Sequence, residues 1–306
     1  MSAGKSKKRK IKNSELIFIL SAVTLPCIHW LVFYVYPNIA SIGMAFINSD
    51  GLWSLDNFKR FFTEFSMSTS ALRIGLRNTL LTFGINLVMF IPQVLVSYFI
   101  YKKIPGAGIY RVLFFLPSII FSVCTAMMFT RVMGTTGFIA QWIGKMLELD
   151  YTPELLADSR FANYVVLGHM VWLGFPGNLI IWGGTFARIP EDVLESARID
   201  GVTWWKEFTK IIVPLVWPTV ALQMVLTFCG ILGSSGAVFL LTGGEYGTMT
   251  LSAWLYITLM KGSGNAYTST VYNYLSAVGL MMTIVAVAIS LFVRKITDKA
   301  FNEVEF

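Results

Sequence analysis

Charge is scarce in this sequence: Asp, Glu, Lys and Arg make up 13% of its 306 residues, about half the share found in soluble domains. Cysteine is scarcer still. Cys27, Cys124 and Cys229 are far apart and odd in number, so their spacing defines no disulfide framework or thiolate metal site. Each lies in an apolar run and is expected to be a small buried side chain. The two histidines, His29 and His169, stand alone, with no carboxylate or cysteine at ligand spacing. No nucleophile, base and acid recur together, which argues against an enzyme and against a cofactor held by this chain. Gly4-Lys5-Ser6 lacks the upstream strand and glycine of a phosphate-binding loop, and Gly106-Ala107-Gly108 lacks the third glycine of a dinucleotide fingerprint.

Apolar residues are abundant instead, at 55% of the chain. No Asp, Glu, Lys or Arg interrupts 16–49, 78–101, 112–130, 161–187, 211–244 or 262–293. Each run is long enough for a helix crossing a hydrocarbon core of about 30 Å, which takes roughly 20 residues. The fold class is therefore an all-α integral membrane protein with six transmembrane helices. Barrel strands would alternate over about ten residues and are excluded by run length. The apolar pieces 132–144 and 246–260 are too short to cross and are expected at the interface or re-entering against protein. Placing both termini in the cytoplasm puts 16 of the 24 Lys and Arg residues inside, as the positive-inside bias requires. The net charge of +7 then reflects topology and lipid headgroups rather than nucleic acid.

Three parts follow: a basic cytoplasmic tail over 1–14, a membrane domain over 15–295, and a cytoplasmic tail over 296–306. In the first span Pro26 and Pro37 are expected near the two ends. The second begins near Asn78-Thr79, the third at Phe114 to Pro117, and the sixth near Asn273. Between the fourth and fifth runs lies a polar connector, 188–214. In it Ile189-Pro190-Glu191-Asp192 reads as a helix start, with proline at the first position and acids at the positive end of the dipole. Gly201 is placed to stop that helix with a left-handed residue. Thr203 is expected to cap a second helix carrying Trp204, Phe208, Ile211 and Ile212, with Pro214 turning the chain into the fifth span.

Within this connector, Glu195-Ser196-Ala197, three residues, Gly201, nine residues, then Ile211-Ile212-Val213-Pro214 resembles the signature loop of importer permeases of the ATP-binding-cassette superfamily. Ser196 and Val213 depart from the family's Ala and Leu. Asn78-Thr79, Arg111 with Phe115-Leu116-Pro117, Ile189-Pro190, Asp200 to Trp205, and Gly243-Gly244 followed by Thr248 and Leu251 extend the resemblance over about residues 15–295. They are similar to the carbohydrate-uptake branch, the maltose, lactose and glycerol-phosphate types, without the large extracellular insertion of the maltose subunit. The resemblance implies a type I importer permease fold in a bacterial or archaeal cytoplasmic membrane. It implies a second related permease as partner in a heterodimer, with a homodimer as the alternative. It also implies two cytoplasmic ATPase subunits carrying ATP and Mg, and an extracellular solute-binding protein delivering a sugar. Glu195, Ser196, Ala197 and Gly201 would be the ATPase-coupling positions.

Irregular backbone and polar groups at membrane depth belong beside protein or a wet cavity. Gly174-Phe175-Pro176-Gly177-Asn178, flanked by Trp172 and Trp182, is one such place. The other is Gly230, Gly233, Ser234, Ser235 and Gly236, preceded by Gln223 and Thr227. Aromatic faces beside amides and hydroxyls suit a sugar, so Trp172, Asn178, Trp182, Gln223, Thr227, Ser234 and Ser235 are candidates for the solute path. Close helix packing through small residues is the competing account of the Gly-Ser cluster. Rival functions are an ion-gradient-driven secondary transporter, a scaffold that recruits an ATPase without transporting, and an importer of the same family for a non-sugar solute. The secondary transporter would want acidic residues buried in its spans, and none of the six runs contains one.

Overall fold

The computed structural model describes residues 13–67, 70–233, 235–262 and 268–302. Among them, six helical segments are long and apolar enough to cross a membrane: Ile19–Ala45, Ala71–Tyr101, Ser122–Met146, Ala162–Phe186, Trp204–Leu232 and Ser269–Lys299.

The first crossing joins α1 (Asn13–Trp30) to α2 (Tyr36–Ala45) through one wide π turn over Leu31–Val35. Pro26 and Pro37 therefore sit inside one helical run rather than near its ends, and the π turn precedes the ring of Pro37. Beyond it the chain folds back on itself. The Asn57 amide on α3 (Asp56–Ser66) donates to the carbonyls of Ala45 at 3.1 Å and Ile47 at 2.8 Å. The first helical run, the start of α3 and residues up to Leu280 of the last helix form one packing unit, and the rest of the chain forms a second.

In the second unit α4 (Ala71–Tyr101) starts well before Asn78. Leu72, Gly75, Asn78 and Thr79 are buried while Arg73 and Arg77 point outward, so helical packing continues past the end of the uncharged run. The third run is not one helix. α5 (Ala107–Ile119) carries Pro117 and stops where Ile120 and Phe121 turn extended, with ψ of 138° and 133°. The chain resumes as α6 (Ser122–Met133) and α7 (Phe138–Met146), so the crossing-length segment lies later than the apolar count placed it. Gly137 joins α6 and α7 because a Cβ there would overlap the Val132 carbonyl.

Helix α8 (Ala162–Phe186) packs along α4 and runs unbroken through Pro176, so the expected irregular backbone at 174–178 does not form. There Pro176 removes one backbone donor without breaking the helix. Next come α9 (Glu191–Ile199), α10 (Trp204–Lys206), a π turn over Glu207–Ile212, and α11 (Val213–Cys229). Thr203 makes no side-chain cap bond, and Pro214 lies in the first turn of α11 without turning the chain. The second helix of the connector is thus the foot of the fifth span, with Glu207 inside that span.

The fifth run does break at its glycines. A single 3-10 turn, Gly230–Leu232, ends it, and α12 (Gly236–Leu241) follows separately. α13 (Leu251–Gly262) packs on α4, and α14 (Thr268–Asn302) begins earlier than Asn273 and continues beyond Arg294-Lys295. The main core of this unit is Val94 and Tyr98 of α4, Trp182 and Phe186 of α8, Leu194 of α9, and Phe208, Ile212 and Val216. Cys27, Cys124 and Cys229 are all exposed, contrary to the expected burial, because they lie on outward faces of their helices.

Candidate functional site

The connector contributes a short helix with two distinct faces. Leu194 and Ala197 turn inward at 5% and 4% exposure, while Glu195, Ser196 and Ile199 face outward, Ile199 at 85%. Ala197 therefore packs within its own chain, and the outward side chains alone are presented to a neighbour. Ser196 Oγ donates to the Val193 carbonyl at 3.0 Å, which ties its hydroxyl to the helix. Gly201 ends the helix at φ +67°. The Gly201 amide donates to Arg198 and the Val202 amide to Ala197, each at 3.1 Å, the paired bonds of a Schellman turn. Nothing lies within 4 Å of a Cβ built on Gly201, so its glycine is required by backbone conformation alone.

This helix sits on a packed apolar base. Ile189 and Leu194 share the core with Tyr98, Phe186 and Phe208, and Trp204 packs on Phe99 at 5.5 Å. Beneath them Glu207 is 3% exposed. Tyr98 Oη donates to one of its carboxylate oxygens at 2.9 Å, and Lys102 Nζ donates to the other at 2.7 Å. A buried carboxylate is tolerable only with such partners, and removing one from a buried ion pair costs about 3–5 kcal/mol. Sequence reasoning missed this cluster, because Lys102 lies 105 residues before Glu207.

Deeper in the bundle three amides connect three helices. The Asn178 Nδ2 group on α8 donates to Gln93 Oε1 on α4 at 2.9 Å. In turn Gln223 Nε2 on α11 donates to Asn178 Oδ1 at 3.1 Å. Gln93 and Asn178, with Asn86, Phe90, Thr227 and Gly230, line a cavity of about 260 Å³. Thr227 Oγ1 donates back to the Gln223 carbonyl at 2.8 Å. Gln93 and Asn86 escaped the sequence reading, although their seven-residue spacing places both on one helical face of the second run.

The other predicted residues are dispersed. Trp172 stacks on Phe129 at 6.0 Å and lines a separate apolar cavity of about 530 Å³ between α5 and α8, with Phe114 and Phe175. Trp182 is fully buried in the core against Phe90 and Phe186, which makes it a packing residue in this chain. Ser235 stands at the N-cap of α12 without a side-chain cap bond, and Ser234 lies outside the described residues. His169 beside Trp172 is fully buried with neither ring nitrogen hydrogen-bonded, its ring held edge-on to Phe129 at 4.8 Å.

Asn78 and Thr79 hold the far end of the unit together. The Asn78 amide donates to the carbonyls of Gly247 at 2.6 Å and Met249 at 2.8 Å, and the Leu251 amide donates to Thr79 Oγ1 at 2.9 Å. The glycine-rich loop before α13 is thereby fastened to the start of α4.

Comparison with known proteins agrees with this architecture. The multiple sugar-binding transport system permease MsmF of Streptococcus mutans is 22% identical over 90% of this chain and 93% of its own length. The lactose transport system permease LacF of Rhizobium radiobacter is 22% identical over 82% of this chain and 85% of its own. A chain of a bacterial alginate ABC transporter, solved with an alginate pentasaccharide-bound periplasmic protein, superposes with a TM-score of 0.77. It is 22% identical and covers 96% of this chain and 99% of that one, a likeness of fold. The family model described as binding-protein-dependent transport system inner membrane component matches residues 1–302. The chain belongs to that family and is a transport permease rather than an enzyme.

Proposed function

We propose that this chain is the permease subunit of an ATP-driven importer for a sugar or oligosaccharide in a bacterial or archaeal cytoplasmic membrane. It pairs with a second, related permease. Two ATPase subunits, carrying ATP and Mg, engage the cytoplasmic connectors, and an extracellular solute-binding protein delivers the sugar to the outer mouth. Both termini lie in the cytoplasm. The observation that carries this reading is the helix α9: its outward face, with Glu195, Ser196 and Ile199, is presented on a packed apolar base.

The side chains divide the work. Glu195 offers a carboxylate to a basic partner, Ile199 an apolar contact, and Gly201 sets the angle of the helix. Solute passes the amides of Asn178 and Gln223 and the hydroxyl of Thr227, where donors and acceptors alternate as a sugar's hydroxyl rim requires. Closure of the ATPase pair moves the docking helices and opens the cavity outward. The sugar transport named for MsmF and LacF and the saccharide-bound alginate transporter favour a sugar over other solutes.

Reconstitution of the four-subunit transporter in proteoliposomes tests the reading with a panel of radiolabelled mono- and oligosaccharides. Uptake that needs both ATP and the solute-binding protein supports it. Uptake driven by an ion gradient alone, or ATPase recruitment with no uptake of any sugar, contradicts it.

A further inference from the structure

The signature loop leaves residues 202–210 unspecified, yet Glu207 within that stretch is the only acidic side chain buried among the described residues. Both of its oxygens are taken at the end of α4, by Tyr98 in its last turn and Lys102 at its C-cap. The joint between α9 and the fifth span is irregular in backbone, although Leu194 and Phe208 share one core across it. It consists of Gly201 in the left-handed region, two non-helical residues, the three-residue α10 and the π turn that Glu207 opens. The other contacts between the foot of the fifth span and α4, Trp204 on Phe99 at 5.5 Å and Phe208 on Tyr98 at 5.2 Å, are apolar and less directional than an ion pair. A carboxylate gripped at both oxygens by two donors resists sliding and rotation together.

We propose that Glu207 is the positioning residue of coupling: clamped by Lys102 and Tyr98, it fastens the foot of the fifth span to α4, so that displacement of α9 reaches the amide-lined cavity. The route is short. Gln93, which accepts from Asn178 and lines that cavity, sits five residues from Tyr98 on the same helix, about 7.5 Å of helical rise. Without the clamp, α9 moves and the joint absorbs the motion. The proposal rests on α9 docking to an ATPase subunit.

The test uses the assembled transporter in proteoliposomes, with Cys27→Ser, Cys124→Ser and Cys229→Ser as background and Thr227→Cys as a reporter in the cavity. A trimethylammonium methanethiosulfonate reagent added outside labels the reporter, with and without ATP plus vanadate. Nucleotide is expected to speed labelling by about tenfold in the parent and by less than about twofold in Glu207→Gln and Lys102→Met. The exchanged pair Glu207→Lys with Lys102→Glu restores the charge contact and is expected to recover most of the response. In parallel, Ser196→Cys is cross-linked to the ATPase subunit and is expected to react equally in parent and Glu207→Gln. A nucleotide response unchanged in Glu207→Gln overturns the proposal, as does a parent that shows none. A loss that the exchanged pair does not repair overturns it in favour of a merely structural role. Failure of Ser196→Cys to cross-link in the parent removes the docking reading, and the clamp's role with it.

Discussion

Asn178 and Gln223, 45 residues apart in sequence, share a hydrogen bond of 3.1 Å that joins α8 to α11. Because Asn178 also donates to Gln93 of α4, one side chain holds three helices in register beside the cavity. Replacement by alanine, Asn178→Ala, removes both bonds and leaves two largely buried amides short of a partner. Each such loss costs about 1–3 kcal/mol. Thermal unfolding of the purified transporter is expected to shift downward, and sugar uptake to fall while the ATPase subunits still co-purify. Uptake at the parental rate would remove Asn178 from the solute path.

Gly201 offers a separate handle on the connector. Its φ of +67° with open space around a Cβ means that a substitution acts through backbone strain alone. A β-branched residue in that region costs about 1–2 kcal/mol, whereas asparagine tolerates it. Gly201→Val is therefore expected to weaken ATPase co-purification strongly, and Gly201→Asn only slightly. Equal retention by both variants would show that the Schellman turn does not set the docking angle.

Asn78 makes a third prediction. Asn78→Ala frees the carbonyls of Gly247 and Met249 and unfastens the glycine-rich loop from α4. Hydrogen exchange across 243–250 is expected to rise, by about tenfold for each 1.4 kcal/mol of lost local stability. The variant should still insert into the membrane, because the apolar runs are unchanged. Unaltered exchange would mean that the Thr79 bond to the Leu251 amide suffices to hold the loop.

What could be read in advance divides along a physical line. Features set by local backbone chemistry were legible: the proline and acids that start α9, the glycine that ends it, and uncharged runs long enough to cross a membrane. Pro176 and Pro117 mark the limit of such reasoning. The first sits in an unbroken helix, whereas the helix carrying the second ends at Ile119, and proline alone does not decide between the two. Pairings across the bundle were invisible, since nothing near Glu207 announces a lysine at the end of α4, and nothing near Asn178 announces Gln93. Trp182 illustrates the converse error. An indole near a polar residue suggested a sugar face, but helical phase turned it into the core. Asn86 and Gln93 were within reach, because two amides seven residues apart in an apolar run already point to one shared, non-lipid face.

The exposed face of α9 allows the most direct test. Ser196→Cys, in a background without other cysteines, is treated in native membranes with a short thiol cross-linker and, separately, with an impermeant maleimide added from outside. Cross-linking to the ATPase subunit together with protection from the external reagent is the predicted result. Labelling by the external reagent, with no cross-link to the ATPase, would place this helix on the wrong side of the membrane and contradict its role in coupling.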